Sequence, residues 1–106
     1  MKIDCNDEFN LKKIMPNSND LKSLTSLFYA FSDDTRLKII ILLTVRPLCV
    51  GDISVVLDIN QTTISHQLKI LKAINIVDCN RYGKNNIYYI KNSYIEEILN
   101  VGVECI

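Results

Sequence analysis

Gln61-Thr62-Thr63-Ile64-Ser65-His66-Gln67-Leu68-Lys69-Ile70-Leu71-Lys72 is the stretch on which the fold turns. Ile64, Leu68 and Leu71 recur at the three-and-four spacing of one helical face, and Ile74 continues it. Gln61, Thr62, Thr63, Ser65, His66, Gln67, Lys69 and Lys72 are left on or near the other face, which is polar, basic and free of Glu and Ala. Asn60 is a good N-cap for this helix. With Asp58 and Ile59 it makes a three-residue joint to a shorter helical stretch, residues 50–57. Beyond the helix the period changes to that of strands. Residues 76–81 and 86–90 are β-rich runs flanking Tyr82-Gly83-Lys84-Asn85, a hairpin with a basic tip.

Further out, Leu21, Leu24, Leu27, Phe28 and Phe31 carry the spacing of an amphipathic helix. Ser32-Asp33-Asp34 supplies the N-cap of the next helix, whose Leu37, Ile40, Ile41, Leu42 and Leu43 point to every side. That helix is expected to be buried nearly all round and to form the core, and Pro47 ends the segment after it. Asn92-Ser93 caps a last helix with Ile95, Ile98, Leu99 and Val101 apolar. Residues 1–18 are polar, run into the turn-rich 15–20 segment, and are read as an arm. Residues 19–106 then form one mainly α domain with a small β-hairpin, a winged helix-turn-helix.

A chain of 106 residues with 48% apolar and 23% charged side chains has room for a single core and is too apolar to be disordered. Its longest apolar run, residues 39–43, is far short of a membrane span. The first residues lack the apolar centre of a secretory signal. The expectation is a cytoplasmic protein with no membrane partner, whose Cys5, Cys49, Cys79 and Cys105 are thiols. The net charge of zero conceals a division along the chain. Residues 60–91 carry five basic side chains against Asp78 alone, whereas residues 92–106 carry only Glu96, Glu97 and Glu104. The basic segment attracts phosphate. With one histidine, glycines only at 51, 83 and 102, and no spaced carboxylate pair in a plausible cleft, nothing points to an enzyme.

Two helices across a short joint, the second polar and basic outside and followed by a basic hairpin, suit double-stranded DNA. The major groove admits one α-helix, and short hydroxyl and amide side chains reach base edges without holding the helix off the groove floor. Lys69, Arg81 and Lys84 lie towards phosphates, which fix register and supply salt-dependent affinity. The competing reading is a winged helix that binds protein. Such a module would expose apolar residues over 61–72, where this chain exposes hydroxyls, amides and lysines.

Asp34-Thr35-Arg36-Leu37, Leu48-Cys49-Val50-Gly51-Asp52-Ile53 and Thr63-Ile64-Ser65-His66-Gln67-Leu68-Lys69-Ile70-Leu71 resemble the arsenic-repressor (ArsR/SmtB) family of metal-sensing repressors. Arg81-Tyr82-Gly83 and Ile87-Tyr88 resemble that family's wing, and the likeness runs over roughly residues 20–105. It implies a homodimer through the first and last helices, repression at an operator, and release of DNA on binding an inducer. Carried onto matching positions, it has Gln61, Thr62, Ser65 and His66 reading bases, and the wing at residues 81–85 meeting the backbone or minor groove. His66, the only histidine, is assigned by the same likeness to DNA and not to metal.

The inducer is less determined. Arsenite and soft divalent metals want thiolates, and family members of this kind often carry Leu-Cys-Val-Cys-Asp where this chain has Leu48-Cys49-Val50-Gly51-Asp52. Glycine at 51 halves the thiol pair. Cys5 in the arm resembles the cysteine segment that completes such sites across the dimer, so Cys5 and Cys49 are the candidate metal ligands. The family's site on the last helix has Asn92, Tyr94 and Cys105 at matching positions and is expected to be absent. Three readings of the thiols stand open: arsenite or a soft metal at Cys5 and Cys49, thiol oxidation or persulfidation of two cysteines, or no sensing at all.

Overall fold

The computed structural model describes residues 7–106. Six helices and three short strands follow in the order α1 (Glu8–Lys13), α2 (Ser18–Ala30), α3 (Asp34–Val45), β1 (Leu48–Cys49), α4 (Val50–Leu57), α5 (Gln61–Ala73), β2 (Val77–Tyr82), β3 (Asn85–Ile90) and α6 (Tyr94–Glu104). The segment read as a polar arm contains the short helix α1, which buries none of its residues.

Most of the helices start where the sequence supplies an acceptor, whereas α1 has no side-chain bond at its cap, Asp7. Asn17 accepts from the Asp20 amide to start α2, and Asp33 from the Arg36 amide to start α3. Asn60 accepts from the Thr63 amide at 2.8 Å to start α5. At α6 the expected pair divides its work: Ser93 occupies the cap position without a side-chain bond, and the Asn92 carboxamide accepts from the Tyr94 amide. The joint between α4 and α5 is closed by Asp58 in the left-handed region, φ 54°, and by the Ser54 hydroxyl donating to the Ile59 carbonyl. Aspartate tolerates that conformation better than most residues, so two short helices meet at a fixed angle.

The core is built from Ile39, Ile40 and Leu43 of α3, Ile53 of α4, Ile64, Leu68 and Leu71 of α5, and Ile76, Val77 and Ile95. Each such aliphatic side chain contributes about 1.5–3 kcal/mol on burial. The expectation that α3 is buried nearly all round does not hold. Ile41 and Val45 are exposed, at 47% and 78%, because no described residue covers that side. Alongside α2 and α6 they leave apolar surface open.

The hairpin is part of a larger sheet. Leu48 and Cys49 pair antiparallel with Tyr88 and Ile87, so the sheet has the order β1-β3-β2. Two residues are too few for a period to register, and the strand between Pro47 and α4 was therefore invisible in the sequence. Gly83 opens the two-residue turn at φ 62°, as a tight hairpin requires. No helix among the described residues is long and apolar enough to cross a membrane.

Candidate nucleic-acid interface

The buried stripe Ile64, Leu68 and Leu71 fixes which side of α5 faces out. At about 100° per residue, Gln61, Ser65, Lys69, Thr62 and His66 occupy a continuous outer arc, and all five are exposed. Thr63 lies at the margin of that arc and is half-buried. The α4–α5 packing and the Asn60 cap hold the first turn of α5 in place. Its free amides and the short polar side chains Gln61 and Thr62 therefore project together.

The wing stands beside this helix. Arg81 Nε donates to the Gly83 carbonyl at 3.0 Å, so its guanidinium folds over the hairpin turn and braces it. Lys84, at the tip, is exposed. A shallow pocket is lined by Cys49, Gly51, Gln61, Lys84, Asn85 and Asn86, which places the wing tip next to the start of both motif helices. Sequence separation gave no hint of that proximity; the β1–β3 pairing creates it.

Two side chains are placed differently from the sequence reading. Gln67 does not face out: it is half-buried, and its Oε1 accepts from Arg36 Nη1 at 3.2 Å. Lys72 is exposed but turned to the base of the wing, with Nζ 3.5 Å from Cys79 Sγ and 4.0 Å from Asp78 Oδ1. The hydrogen bond to Cys79, then the electrostatic attraction between the two groups, holds the Lys72 ammonium above its ordinary range. Burial, then the neighbouring Cys79, raises the Tyr88 phenol likewise. The signal for Gln67 was present in its spacing, about 200° round the helix from Ser65 and from Lys69. The signal for Arg36 was its place one helical turn before the apolar residues Ile39 and Ile40 of α3, on the side that they bury.

Cys49 is the N-cap of α4, its Sγ accepting from the Asp52 amide at 3.5 Å. Cys79 lies on β2, with β3 between it and Cys49. Two strand spacings, about 10 Å, separate them, beyond a disulfide or a shared metal. Cys105 is exposed near the end of the chain. Among the described residues no three His, Cys, Asp or Glu side chains gather as a metal site. Cys5 lies outside the described residues, so these residues alone do not complete a thiolate site.

The family described as bacterial regulatory protein, arsR family, matches residues 33–78, which run from the α3 cap through α5 into β2. The cadmium resistance transcriptional regulatory protein CadC of Listeria innocua serovar 6a is 37% identical over 98 residues, covering 92% of this chain and 82% of that protein. The arsenical resistance operon repressor of Staphylococcus xylosus is 29% identical over 77 residues, covering 73% and 74%. Among solved structures, the homodimeric winged helix-turn-helix DNA-binding domain of a possible ArsR-family regulator from Mycobacterium bovis superposes with a TM-score of 0.76. It shares 22% identity and covers 87% of each chain, a likeness of fold.

Proposed function

The chain belongs to the ArsR family of bacterial regulatory proteins, and from that premise we propose that it binds its operator as a homodimer and leaves it on capturing a thiophilic inducer. It is a DNA-binding transcriptional repressor of the winged helix-turn-helix class. The observation that carries the finer reading is the exposed arc of Gln61, Thr62, Ser65, His66 and Lys69 on α5, with the Lys84 wing tip beside it. In our reading Gln61, Thr62, Thr63, Ser65 and His66 meet base edges, and Lys69, Arg81 and Lys84 meet phosphates.

The relatives' names speak of cadmium and arsenical resistance, which favours a soft metal or arsenite as inducer here. Cys49 with Cys5 is the proposed ligand pair. A ligand at Cys49 would bind the same sulfur that caps α4, so capture acts directly on the start of the motif's first helix. The test is a titration of operator binding in the presence of arsenite, cadmium, zinc and an oxidant, with the parent, Cys5→Ser and Cys49→Ser proteins. Release by arsenite or cadmium in the parent and resistance in both serine variants is expected. Equal release from all three proteins overturns the site, and release by the oxidant alone favours thiol oxidation.

A further inference from the structure

Arg36 is the one charged side chain buried among the described residues, at 5% exposure. No carboxylate lies within ion-pair distance of it: the described ion pairs are Lys12–Glu8 and Lys72–Asp78. Asp33, the nearest acid in sequence, accepts from the Arg36 backbone amide as the α3 cap. The guanidinium is divided between two other helices instead. Nη2 donates to the Tyr29 carbonyl in the last turn of α2 at 3.0 Å and lies 3.5 Å from Ser32 Oγ. The Tyr29 ring sits 4.3 Å from the guanidinium carbon. Nη1 donates to Gln67 Oε1 on α5, and Nε, also buried, has no partner.

A helix C-terminus and an aromatic face both favour a cation, and these compensate the charge from the α2 side. Gln67 adds little compensation because it is neutral. It adds direction. Ile39, Ile40 and Leu43 of α3 share one aliphatic cluster with Ile64, Leu68 and Leu71 of α5, and the hydrophobic attraction that holds such a cluster together is non-directional. A hydrogen bond from a planar guanidinium to an amide on the inner side of α5 fixes the roll of that helix. Gln67 stands about 200° round the helix from Ser65 and Lys69, so it leaves the outer arc free while setting where the arc points. A neutral partner also keeps a carboxylate off a helix that must approach phosphates.

We propose that Arg36, acting through Gln67, is a positioning residue for operator recognition that ties the roll of α5 to the end of α2. This inference rests on the repressor reading above. α2 carries exposed Leu21, Leu24 and Phe28, so the tie joins the helix proposed to meet the second protomer to the helix proposed to meet bases.

The experiment compares two duplexes: one selected from a random pool by the parent protein, and a scrambled duplex of equal length. Gln67→Met removes the acceptor, Gln67→Glu keeps it, and Arg36→Lys keeps the charge but loses the planar fork. Gln67→Met and Arg36→Lys are expected to lower the selected-over-scrambled affinity ratio about tenfold, the loss of one good base contact, with scrambled affinity unchanged. Gln67→Glu is expected to retain the parent ratio, because acceptance and not donation is what Arg36 needs. A base-reading Gln67 would lose the ratio in the Glu variant, and that result overturns the proposal. So does a parent-like ratio in Gln67→Met, or a joint fall of both affinities in step with a lowered thermal midpoint. Should Arg36→Lys fail to fold, the Met and Glu variants at 67 still decide. A parent that prefers no duplex overturns the repressor reading itself, an outcome distinct from a selective parent whose Met variant is equally selective.

Discussion

Lys84 and Arg81 differ in what their loss should do, although both are exposed and basic. Lys84 sits at the tip of the wing, whereas Arg81 also braces the turn through the Gly83 carbonyl. Lys84→Ala is expected to weaken binding to every duplex and to flatten the slope of log affinity against log salt by about 0.9 per lost phosphate contact. Arg81→Ala is expected to do this and also to loosen the hairpin, visible as faster amide exchange over residues 80–86. Ser65→Ala should instead reduce preference for the operator by about 1–3 kcal/mol, measured against a scrambled duplex at matched salt. The Lys72–Cys79–Tyr88 cluster gives a pH prediction. Tyr88 is raised above 10.0, by burial first, and Lys72 above 10.5, by its bond to Cys79 first. A raised folded-state value means the native protein holds those protons more tightly than the unfolded chain. Their contribution is therefore complete below about pH 10 and is lost as pH rises beyond it. Thermal midpoints across the alkaline range should fall, and should fall less in Tyr88→Phe.

At the scale of elements, the start of α5 depends on one side chain. The Asn60 carboxamide satisfies the Thr63 amide, and Asn60→Ala is expected to cost about 1 kcal/mol in urea unfolding. Operator affinity should fall further than stability requires, since the frayed turn carries Gln61 and Thr62. The start of α4 offers a complementary test. A Cβ at Gly51 would lie 3.9 Å from Cys49 Sγ and 3.9 Å from Gln61 Nε2, ordinary contact distances. Gly51→Cys is therefore expected to fold, to place a second thiol beside Cys49, and to bind cadmium more tightly than the parent. Thiolate charge-transfer absorption during a cadmium titration checks this. Equal affinity would mean that thiol count at this cap is not what sets metal capture.

For the whole molecule, the exposed apolar surface is the decisive feature. Phe28 and Phe31, Leu37 and Ile41, and Ile98 and Val103 line an open apolar groove of about 400 Å³ between α2, α3 and α6. A small domain that leaves such a groove in water forgoes stabilisation it can hardly spare. One solved domain of the same fold is homodimeric, and the occupant expected here is a second copy. Sedimentation at micromolar concentration should report a dimer, and Ile98→Glu should convert it to monomer. Operator binding should weaken with it, because two linked recognition helices bind far more tightly than one. A monomeric parent at that concentration would contradict the assembly.

How far the sequence carried depends on the range of the interactions concerned. The stripe Ile64, Leu68 and Leu71, the caps Asp33 and Asn60, and the turn glycine at 83 act over three or four residues. Helices α2 to α6, the motif joint and the outer arc of α5 followed from them. Interactions between distant residues left no such trace. Strand β1 exists because Leu48 and Cys49 find Tyr88 and Ile87 about forty residues later, and two residues carry no period of their own. The exposed side of α3 was concealed because an apolar residue in a sequence does not say which chain will cover it. Gln67 reads as an outer residue by its polar type, and only packing brings to it a guanidinium from 31 residues earlier. Local hydrogen bonding and hydrophobic periodicity determined helices α2 to α6, the hairpin and the polar outer face of α5. The roll of α5, the placing of the wing beside it and the uncovered groove were decided by tertiary structure, because burial and pairing between distant segments are properties of the folded chain.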